Sequence, residues 1–354
     1  MAVFSILNFA KYIPIRVSRV PPFHVPSNSF VNRLYLSTLI SREDTTDEIV
    51  NQILAAMADP SVCREEICIS HIQKLCATGN VLTAASLPQS LRCKHIFLTP
   101  RAYNYLLEAA VVKNDIDLLS EIFKDLLLSC GSIRLNSYLI VARAFGNHSD
   151  SSVLLNFIGE VSEMGLPRND IVLNRFIFAL AKCGLVDNAL LMFDRMKSLK
   201  CKPDLVTYNT VLGILGRLGR VDEMMNEFAL MKTNNLVLDI VTYNTVLNSL
   251  RKMGRLDLCL VHYKEMCEKR IQPDLLTFKA LIESLGRSGN IDGALNIFDE
   301  MKRKRFRPSI HIYRALIFSL KKMGKTELAL KFSTEMNKLF SNPHVPRDFQ
   351  YKNR

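Results

Sequence analysis

Three asparagines recur at intervals of 35 residues, and each is followed 30 residues later by an aspartate. The pairs are Asn174 with Asp204, Asn209 with Asp239, and Asn244 with Asp274. A carboxamide both donates and accepts hydrogen bonds, which suits the O4 and N3–H edge of an unstacked uracil, and a nearby carboxylate can orient that amide. Two simpler interpretations stay open. The aspartates can serve only to favour the start of a following helix, and the asparagines can be surface residues without a specific role.

A column of basic residues repeats with the same period and consists of Lys182, Arg217, Lys252, Arg287 and Lys322. These residues lie eight positions beyond the asparagine position, which on a helix places the two within about 80° of each other. One positive charge per period matches one phosphate per nucleotide. A cation near the C-terminal end of a helix is also favoured by the helix dipole, by ~0.3–1 kcal/mol. The two interpretations are compatible, and the sequence does not separate them.

The same period organises most of the chain. Glycine recurs at positions 184, 219, 254, 289 and 324, and methionine at positions 196, 231, 266, 301 and 336. Residues 205–239 and 240–274 are identical at 13 of 35 positions. Extending this phase predicts eight contiguous repeats, of which the first three are degenerate. Their bounds are 65–99, 100–134, 135–169, 170–204, 205–239, 240–274, 275–309 and 310–344.

Each repeat contains two stretches of apolar residues at helical spacing. In repeat 5 the first stretch contains Tyr208, Val211, Leu212 and Leu215, and the second contains Val221, Met224, Phe228 and Met231. The glycine between them suits a chain leaving a helix. A helical hairpin of this kind buries its apolar face against its neighbours, so the pattern predicts an all-α superhelical solenoid of about eight repeats. Residues 43–64 are predicted to contain a capping helix over 46–58 with Thr46 as its N-cap, and 345–354 form a short tail.

The composition of the 354-residue chain limits the other possibilities. A formal net charge of +12 favours polyanionic partners. Nine cysteines without a CxxC motif predict reduced core thiols, with Cys76, Cys183 and Cys259 packed between helices. The scattered histidines form no metal-ligand pattern, so the sequence predicts no metal, no cofactor and no catalytic residues. No apolar run approaches the ~18 residues that a membrane span requires.

The first 42 residues contain five lysines or arginines and no acidic residue. This composition predicts an organelle-targeting presequence over 1–42. The segment 33–37 (Arg-Leu-Tyr-Leu-Ser) loosely resembles a mitochondrial processing site, and the apolar content is high for a chloroplast transit peptide. We therefore expect a mitochondrial protein, with the chloroplast as the alternative organelle. An N-terminal arm without a targeting role is a further alternative.

The 35-residue helical hairpin, its Val-Thr-Tyr-Asn-Thr start at 206–210 and 241–245, its central glycine and its Lys-Pro-Asp or Gln-Pro-Asp end resemble the pentatricopeptide repeat family. The pattern is similar to the P-class of that family, as found in plant organelles, whereas tetratricopeptide repeats have a period of 34 residues. The resemblance implies binding of single-stranded organellar RNA at about one base per repeat. It also implies that the chain is not an enzyme.

In the family that these residues resemble, the fifth and last residues of each repeat select the base. Asn with Asp favours uridine and tolerates cytidine there, and Thr with Asp reads guanosine. The three Asn/Asp pairs therefore imply a U-rich triplet at the centre of the footprint. Asn104, paired with Arg134, is a further base-reading candidate, although this pair and those of the other repeats are not standard. Ile171, Val206 and Val241 can clamp the faces of bases, or can simply pack between repeats.

Two classes of function follow. The first is a sequence-selective RNA-binding protein acting in organellar RNA processing, stability, splicing or translation. The second is a helical-repeat scaffold that binds proteins, for example RNA-processing proteins or those of an organellar ribosome. The first is favoured, because in-phase Asn/Asp pairs beside a basic column have no evident use for a protein ligand.

Overall fold

The computed structural model describes residues 43–58, 63–146, 151–166 and 169–340. The expected presequence and C-terminal tail lie outside these ranges. The described part of the chain contains no strand, and its helices are α1 Glu43–Ala56, α2 Arg64–Ala77, α3 Val81–Cys93, α4 Pro100–Lys113, α5 Ile116–Ser129, α6 Leu135–Gly146, α7 Ser151–Glu163, α8 Asn169–Lys182, α9 Val186–Ser198, α10 Leu205–Leu218, α11 Val221–Thr233, α12 Ile240–Lys252, α13 Leu256–Glu268, α14 Leu275–Arg287, α15 Ile291–Arg303, α16 Ile310–Lys322 and α17 Thr326–Phe340.

The helices after α1 form eight hairpins that follow the 35-residue period. We call the even-numbered members α2 to α16 the A helices and the odd-numbered members α3 to α17 the B helices. Each A helix begins at, or one residue before, the start that the periodicity gives for its repeat. The expectation of an all-α helical-repeat solenoid is confirmed.

Helix α1 precedes the repeats and packs against α2 and α3. Val50 and Ile53 are fully buried in this contact. Thr46 does not cap the helix, because α1 begins before it; instead its buried hydroxyl lies 3.2 Å from the Ser86 hydroxyl of α3. The prediction of Thr46 as an N-cap was therefore wrong, whereas α1 does cover the first hairpin.

The chain divides into two compact units, with the boundary between Pro203 and Asp204. In the N-terminal unit the A helices α2, α4, α6 and α8 pack one against the next. Aromatic residues fill the core of its degenerate repeats, with ring centroids 5.0–6.4 Å apart among Phe123, Tyr138, Phe145, Phe157 and Phe176. Edge-to-face aromatic contacts and burial together hold repeats that have lost much of the consensus pattern.

In the C-terminal unit, α10, α12, α14 and α16 form a second continuous stack. Phe278, Phe298 and Tyr313 lie fully buried between successive hairpins. The A helices contact one another more extensively than the B helices do. Within this unit the A helices therefore line the inner side of the stack, and the columns identified in the sequence lie on these helices.

Two kinds of turn join the helices, and both use left-handed backbone. The first, between A and B helices, has the predicted glycine, as at Gly219 with φ of 78°. The second, between repeats, has positive φ at non-glycine residues: His95, Lys200, Asn235, Arg270 and Arg305. In the second turn, the amide of Leu236 donates to the carbonyl of Met231 at 3.1 Å, which closes a Schellman motif. The methionine column thus provides the carbonyl and apolar contact of this motif.

The nine cysteines are all free thiols, but most do not lie in the core. Cys68 and Cys259 are buried, and burial raises the pKa of Cys68 to about 11. Cys76 and Cys183 are half-buried, whereas Cys63, Cys93 and Cys267 are exposed. The prediction that the cysteines are core thiols was wrong for these three, because a single exposed thiol leaves no spacing signal in a sequence.

Candidate functional site

A ridge of side chains runs along each A helix of the C-terminal unit. Positions 2, 5, 9 and 13 of a repeat are spaced by three, four and four residues, so they fall on one helix face. On α12 these residues are Val241, Asn244, Asn248 and Lys252. The polar, apolar and basic columns of the sequence therefore share a single surface.

The Asn244–Asp274 pair forms directly in the structure. Asn244 Nδ2 donates to both carboxylate oxygens of Asp274, at 3.0 and 3.1 Å. Thr277 Oγ1 donates to Asn244 Oδ1 at 2.7 Å. The amide of Asn244 is thus held at both ends, and its orientation is fixed by hydrogen bonds that all lie within the C-terminal unit.

The aspartates also cap the following helices. Asp204, Asp239 and Asp274 accept hydrogen bonds from the backbone amides of Thr207, Thr242 and Thr277, respectively. Asp274 completes a capping box with Thr277. The aspartates therefore do cap the following helices, but capping is not the sole role of Asp274, because its carboxylate also orients the asparagine of repeat 6.

The other two asparagines of the central repeats are more than nine-tenths buried. The interpretation of Asn174 and Asn209 as indifferent surface residues was therefore wrong. Asn174 Nδ2 donates to the backbone carbonyl of Lys202 at 3.2 Å. Asn209 Oδ1 is buried without a hydrogen-bond partner in the described part of the chain. The three asparagines are thus alike in sequence but differ in local bonding.

The apolar column at the second position of repeats 4 to 7 is largely open to solvent. Ile171 and Val206 are exposed, and Val241 is half-buried. Leu276 continues the column in repeat 7 and is 58% exposed, although the sequence analysis did not single it out. Exposed aliphatic side chains beside each reading position favour contact with a ligand over packing between repeats. The 35-residue spacing from Val241 is the signal that identifies Leu276.

The basic column occupies the last turns of the A helices. Arg217, Lys252, Arg287 and Lys322 are exposed, and Lys182 is half-buried with its Nζ 5.9 Å from the centre of the Phe178 ring. Partial loss of hydration of its ammonium group, followed by repulsion from Arg251 and Arg217, lowers the pKa of Lys252. Neighbouring members of the column thus repel one another, which an anion along the ridge would relieve. Because these cations lie in the last turns of the A helices, they also interact favourably with the helix dipole.

The N-terminal unit lacks much of this surface. Ile69, at the fifth position of repeat 1, is buried, and Glu66 and Arg101 at the second positions form an ion pair with a 2.6 Å contact. Val112, which occupies the basic position on α4, is 86% exposed. Asn104 is half-buried, and its Oδ1 accepts a hydrogen bond from Ser137 Oγ at 2.7 Å.

The described residues contain no group of three or more His, Cys, Asp or Glu side chains placed to hold a metal ion. No helix within those ranges combines the length and apolar character needed to cross a bilayer.

The chain matches two models of one family. The model described as PPR repeat family matches residues 168–217, 203–252 and 238–287, and the model described as pentatricopeptide repeat domain matches 263–326 and 296–345. A pentatricopeptide repeat-containing protein of Arabidopsis thaliana is 41% identical over 158 residues, which are 44% of this chain and 43% of the relative.

Solved structures show the same fold. The crystal structure of the pentatricopeptide repeat protein PPR10 from maize is 21% identical, with a TM-score of 0.48, over 86% of this chain and 48% of that one. PPR10 in complex with an 18-nt psaJ RNA element is 18% identical, with a TM-score of 0.51, over 88% of this chain and 45% of that one. The chain therefore spans less than half the length of these relatives. With matching models across residues 168–345, half of its length, the chain belongs to the pentatricopeptide repeat family.

Proposed function

We propose that this protein binds single-stranded RNA and selects bases with the ridge on its A helices. The observation that carries the proposal is the Asn244–Asp274 pair, which lies between an apolar residue and an exposed cation on the same helix face. Selection of a base needs an oriented polar group, and stacking of the base needs an apolar surface. The phosphate backbone of the RNA needs positive charge nearby. The ridge supplies all three within one repeat, and the RNA-bound structure of PPR10 supports this use of the fold.

The proposed base preference is uridine, with cytidine tolerated, at the three nucleotides that face repeats 4 to 6. An amide oriented by a carboxylate presents its N–H to the ligand, and uracil O4 is a suitable acceptor. Purines at the same position would have to satisfy a different set of donors and acceptors. The same pair in three successive repeats thus favours a U-rich core.

The proposed cellular setting is RNA metabolism in an organelle, most simply the mitochondrion. The acid-free, basic composition of residues 1–42 supports import. Binding of the ridge to a transcript would occupy or remodel it, and so affect its processing, stability, splicing or translation.

A second function is favoured for the N-terminal unit by one observation. Where the C-terminal unit has exposed cations, α4 has the exposed Val112, and the neighbouring groove between α2 and α4 is lined by residues that include Ala77, Tyr105 and Ala109. The lining of this groove is largely apolar and contains one cation, Lys113, beside Glu108, which suits a protein partner better than RNA. The whole chain acting as a protein-binding scaffold is the alternative to RNA binding.

Binding to homopolymer RNAs separates these possibilities. We expect the protein to bind oligo(U) more tightly than oligo(A) or oligo(G) in filter-binding experiments. Replacement of Asn209 by Thr should move the preference at one nucleotide from U toward G, by ~1–3 kcal/mol, with neighbouring nucleotides unaffected. Equal affinity for all homopolymers would contradict base selection, and absence of RNA binding would favour the scaffold.

A further inference from the structure

The hydroxyl group at the third position of the following repeat contacts the base-reading asparagine. Thr277 Oγ1 is 2.7 Å from Asn244 Oδ1, and Ser137 Oγ is 2.7 Å from Asn104 Oδ1. Both hydroxyl residues are completely buried. The two contacts occur in different compact units and in repeats that end in different residues, Asp274 and Arg134. The contact therefore does not depend on the aspartate.

The residue types at these two positions along the chain agree with this contact between a hydroxyl and an asparagine. Four repeats have Asn at the fifth position, and each is followed by a hydroxyl residue at the third position of the next repeat: Ser137, Thr207, Thr242 and Thr277. The three repeats with Ile69, Leu139 or Lys279 at the fifth position are followed by Ala102, Val172 and Ile312. A hydroxyl residue is thus present after every repeat with Asn at the fifth position. It is absent after the three repeats that have another residue there.

Hydrogen-bonding capacity explains this association. The Thr277 hydroxyl has one proton, and although Asp274 Oδ1 lies 3.1 Å away, the shorter contact is to Asn244 Oδ1. With Oδ1 engaged on the buried side and Nδ2 engaged by Asp274, one N–H of the amide is left for a ligand. A flipped amide would place Oδ1 against the carboxylate, which is unfavourable.

Repeat 5 differs in this contact. The Thr242 hydroxyl lies 2.9 Å from Asp239 Oδ1, and Asn209 Oδ1 is buried without a hydrogen-bond partner among the described residues. The hydroxyl of the following repeat therefore contacts the asparagine in repeats 2 and 6, and the aspartate in repeat 5.

We propose that Thr277, like Ser137 after repeat 2, is a positioning residue for base selection by the asparagine of the preceding repeat. It fixes the amide of the preceding repeat so that the N–H edge faces the ligand. This inference rests on the proposed RNA-binding function. It adds a third residue, located on the next repeat, to the pair that selects the base.

The test measures base discrimination at one nucleotide by fluorescence anisotropy, with the full chain and U-rich 12-nt RNAs in which each nucleotide is changed in turn. The nucleotide facing repeat 6 is the one whose preference is lost in Asn244→Ala. Thr277→Val, which keeps the side-chain shape, should reduce discrimination of U over purines there by about five- to tenfold, whereas Thr277→Ser should retain it. Discrimination at the other nucleotides should not change.

A matched control is Ser319→Ala, which removes a buried A-helix hydroxyl that bonds to the carbonyl of Ala315. This variant should discriminate as the wild type does. If Thr277→Val is folded and retains full discrimination, the hydroxyl only caps α14 and the inference is wrong. Absence of discrimination in the wild-type protein would instead overturn the proposed function itself.

A second pair of variants tests the inference if Thr277→Val does not fold. Lys279→Asn places a reading amide in repeat 7, which Ile312 follows without a hydroxyl. Combining it with Ile312→Thr should improve discrimination at the corresponding nucleotide by about fivefold over Lys279→Asn alone. Equal discrimination in the single and double variants would contradict the positioning role.

Discussion

Gly286 lies so close to Ser319 that a β-carbon on Gly286 would be 2.2 Å from Ser319 Oγ and 2.9 Å from its Cβ. The glycine thus sets how closely α14 and α16 approach each other. We expect Gly286→Ala to lower the free energy of unfolding by about 1–2 kcal/mol, because the strain of overpacking exceeds the gain in helix propensity. Urea unfolding followed by circular dichroism measures this effect.

Gly213→Ala is the control for that substitution. A β-carbon at Gly213 would have its nearest neighbours, Arg217 Nη1 and Thr245 Cγ2, at 3.8 Å. Without a steric conflict, Ala in a helix interior is favoured over Gly by roughly 0.5–1 kcal/mol. Similar changes in stability for the two variants would show that the close contact with Ser319 is not a constraint.

A second prediction concerns acid stability. Glu265 accepts hydrogen bonds from Lys232 and from the Tyr243 hydroxyl, and its Oε2 is 3.0 Å from His262 Nδ1. Burial alone would raise the pKa of Glu265, but the hydrogen bonds from Lys232, His262 and Tyr243 lower it to about 2. Since the folded-state pKa lies below the ordinary value of 4.5, this group stabilises the fold above pH 4.5, and that stability is lost as the pH falls toward 2.

Glu265→Gln should therefore lower the free energy of unfolding by about 2 kcal/mol at pH 7 and have a smaller effect near pH 2. Glu268→Gln is the control, because Glu268 forms only an exposed 3.8 Å pair with Lys264. Unfolding curves between pH 7 and pH 2 measure both variants. A loss of stability in Glu265→Gln that does not change with pH would contradict the role assigned to the carboxylate.

The basic column gives a third prediction, based on salt dependence. If Arg217 and Lys252 each contact one phosphate, replacing both with Gln should weaken binding to all RNA sequences and lower the log–log salt slope by about 1.4. Base preference should be retained. Replacement of Lys264 and Lys331, which are exposed on B helices, removes the same charge elsewhere and should leave the slope nearly unchanged.

The same measurement distinguishes the helix-dipole interpretation. If these cations only stabilise the ends of α10 and α12, the double variant should melt at a lower temperature with an unchanged slope, since the dipole acts on folding and not on the ligand. An unchanged slope in a well-folded variant would remove the column from the binding surface.

A fourth prediction concerns the N-terminal segment. Residues 1–45 fused to a fluorescent protein should direct it to mitochondria, because their first 42 residues form an acid-free basic segment that the membrane potential draws in. A fusion in which Lys11, Arg16, Arg19 and Arg33 are replaced by Gln should stay in the cytosol. Chloroplast labelling would show that the organelle is wrong, and cytosolic labelling of the unmodified fusion would show that the segment is not a presequence.

The sequence predicted the A and B helices well because a glycine at the end of most A helices and the apolar residues of both helices repeat at fixed spacing. It did not predict the second left-handed turn, since Lys200, Asn235, Arg270 and Arg305 are not of one residue type. The signal lies elsewhere, in the methionine of α9, α11, α13 and α15 and the residue five positions later, as in Met231 and Leu236. A Schellman motif constrains these two positions more than the turn residue itself.

At the candidate site, the sequence identified which residues recur but not how they bond. Identical Asn/Asp pairs suggested identical geometry, yet Asn244 has hydrogen bonds at both ends of its amide whereas Asn209 has a buried oxygen without a partner among the described residues. The hydroxyl of Thr277 contacts Asn244 Oδ1, whereas the hydroxyl of Thr242 contacts Asp239, and local packing rather than residue type decides between these contacts.

In five repeats, the residue that ends one repeat also stabilises the start of the next. Thr99, Asp204, Asp239, Asp274 and Ser309 all cap the helix that follows them. Only a few side chains accept a hydrogen bond well in that position. A substitution that changes ligand choice there must therefore also preserve a helix start, so the folding of each repeat restricts the set of specificities that its predecessor can acquire during evolution or by engineering.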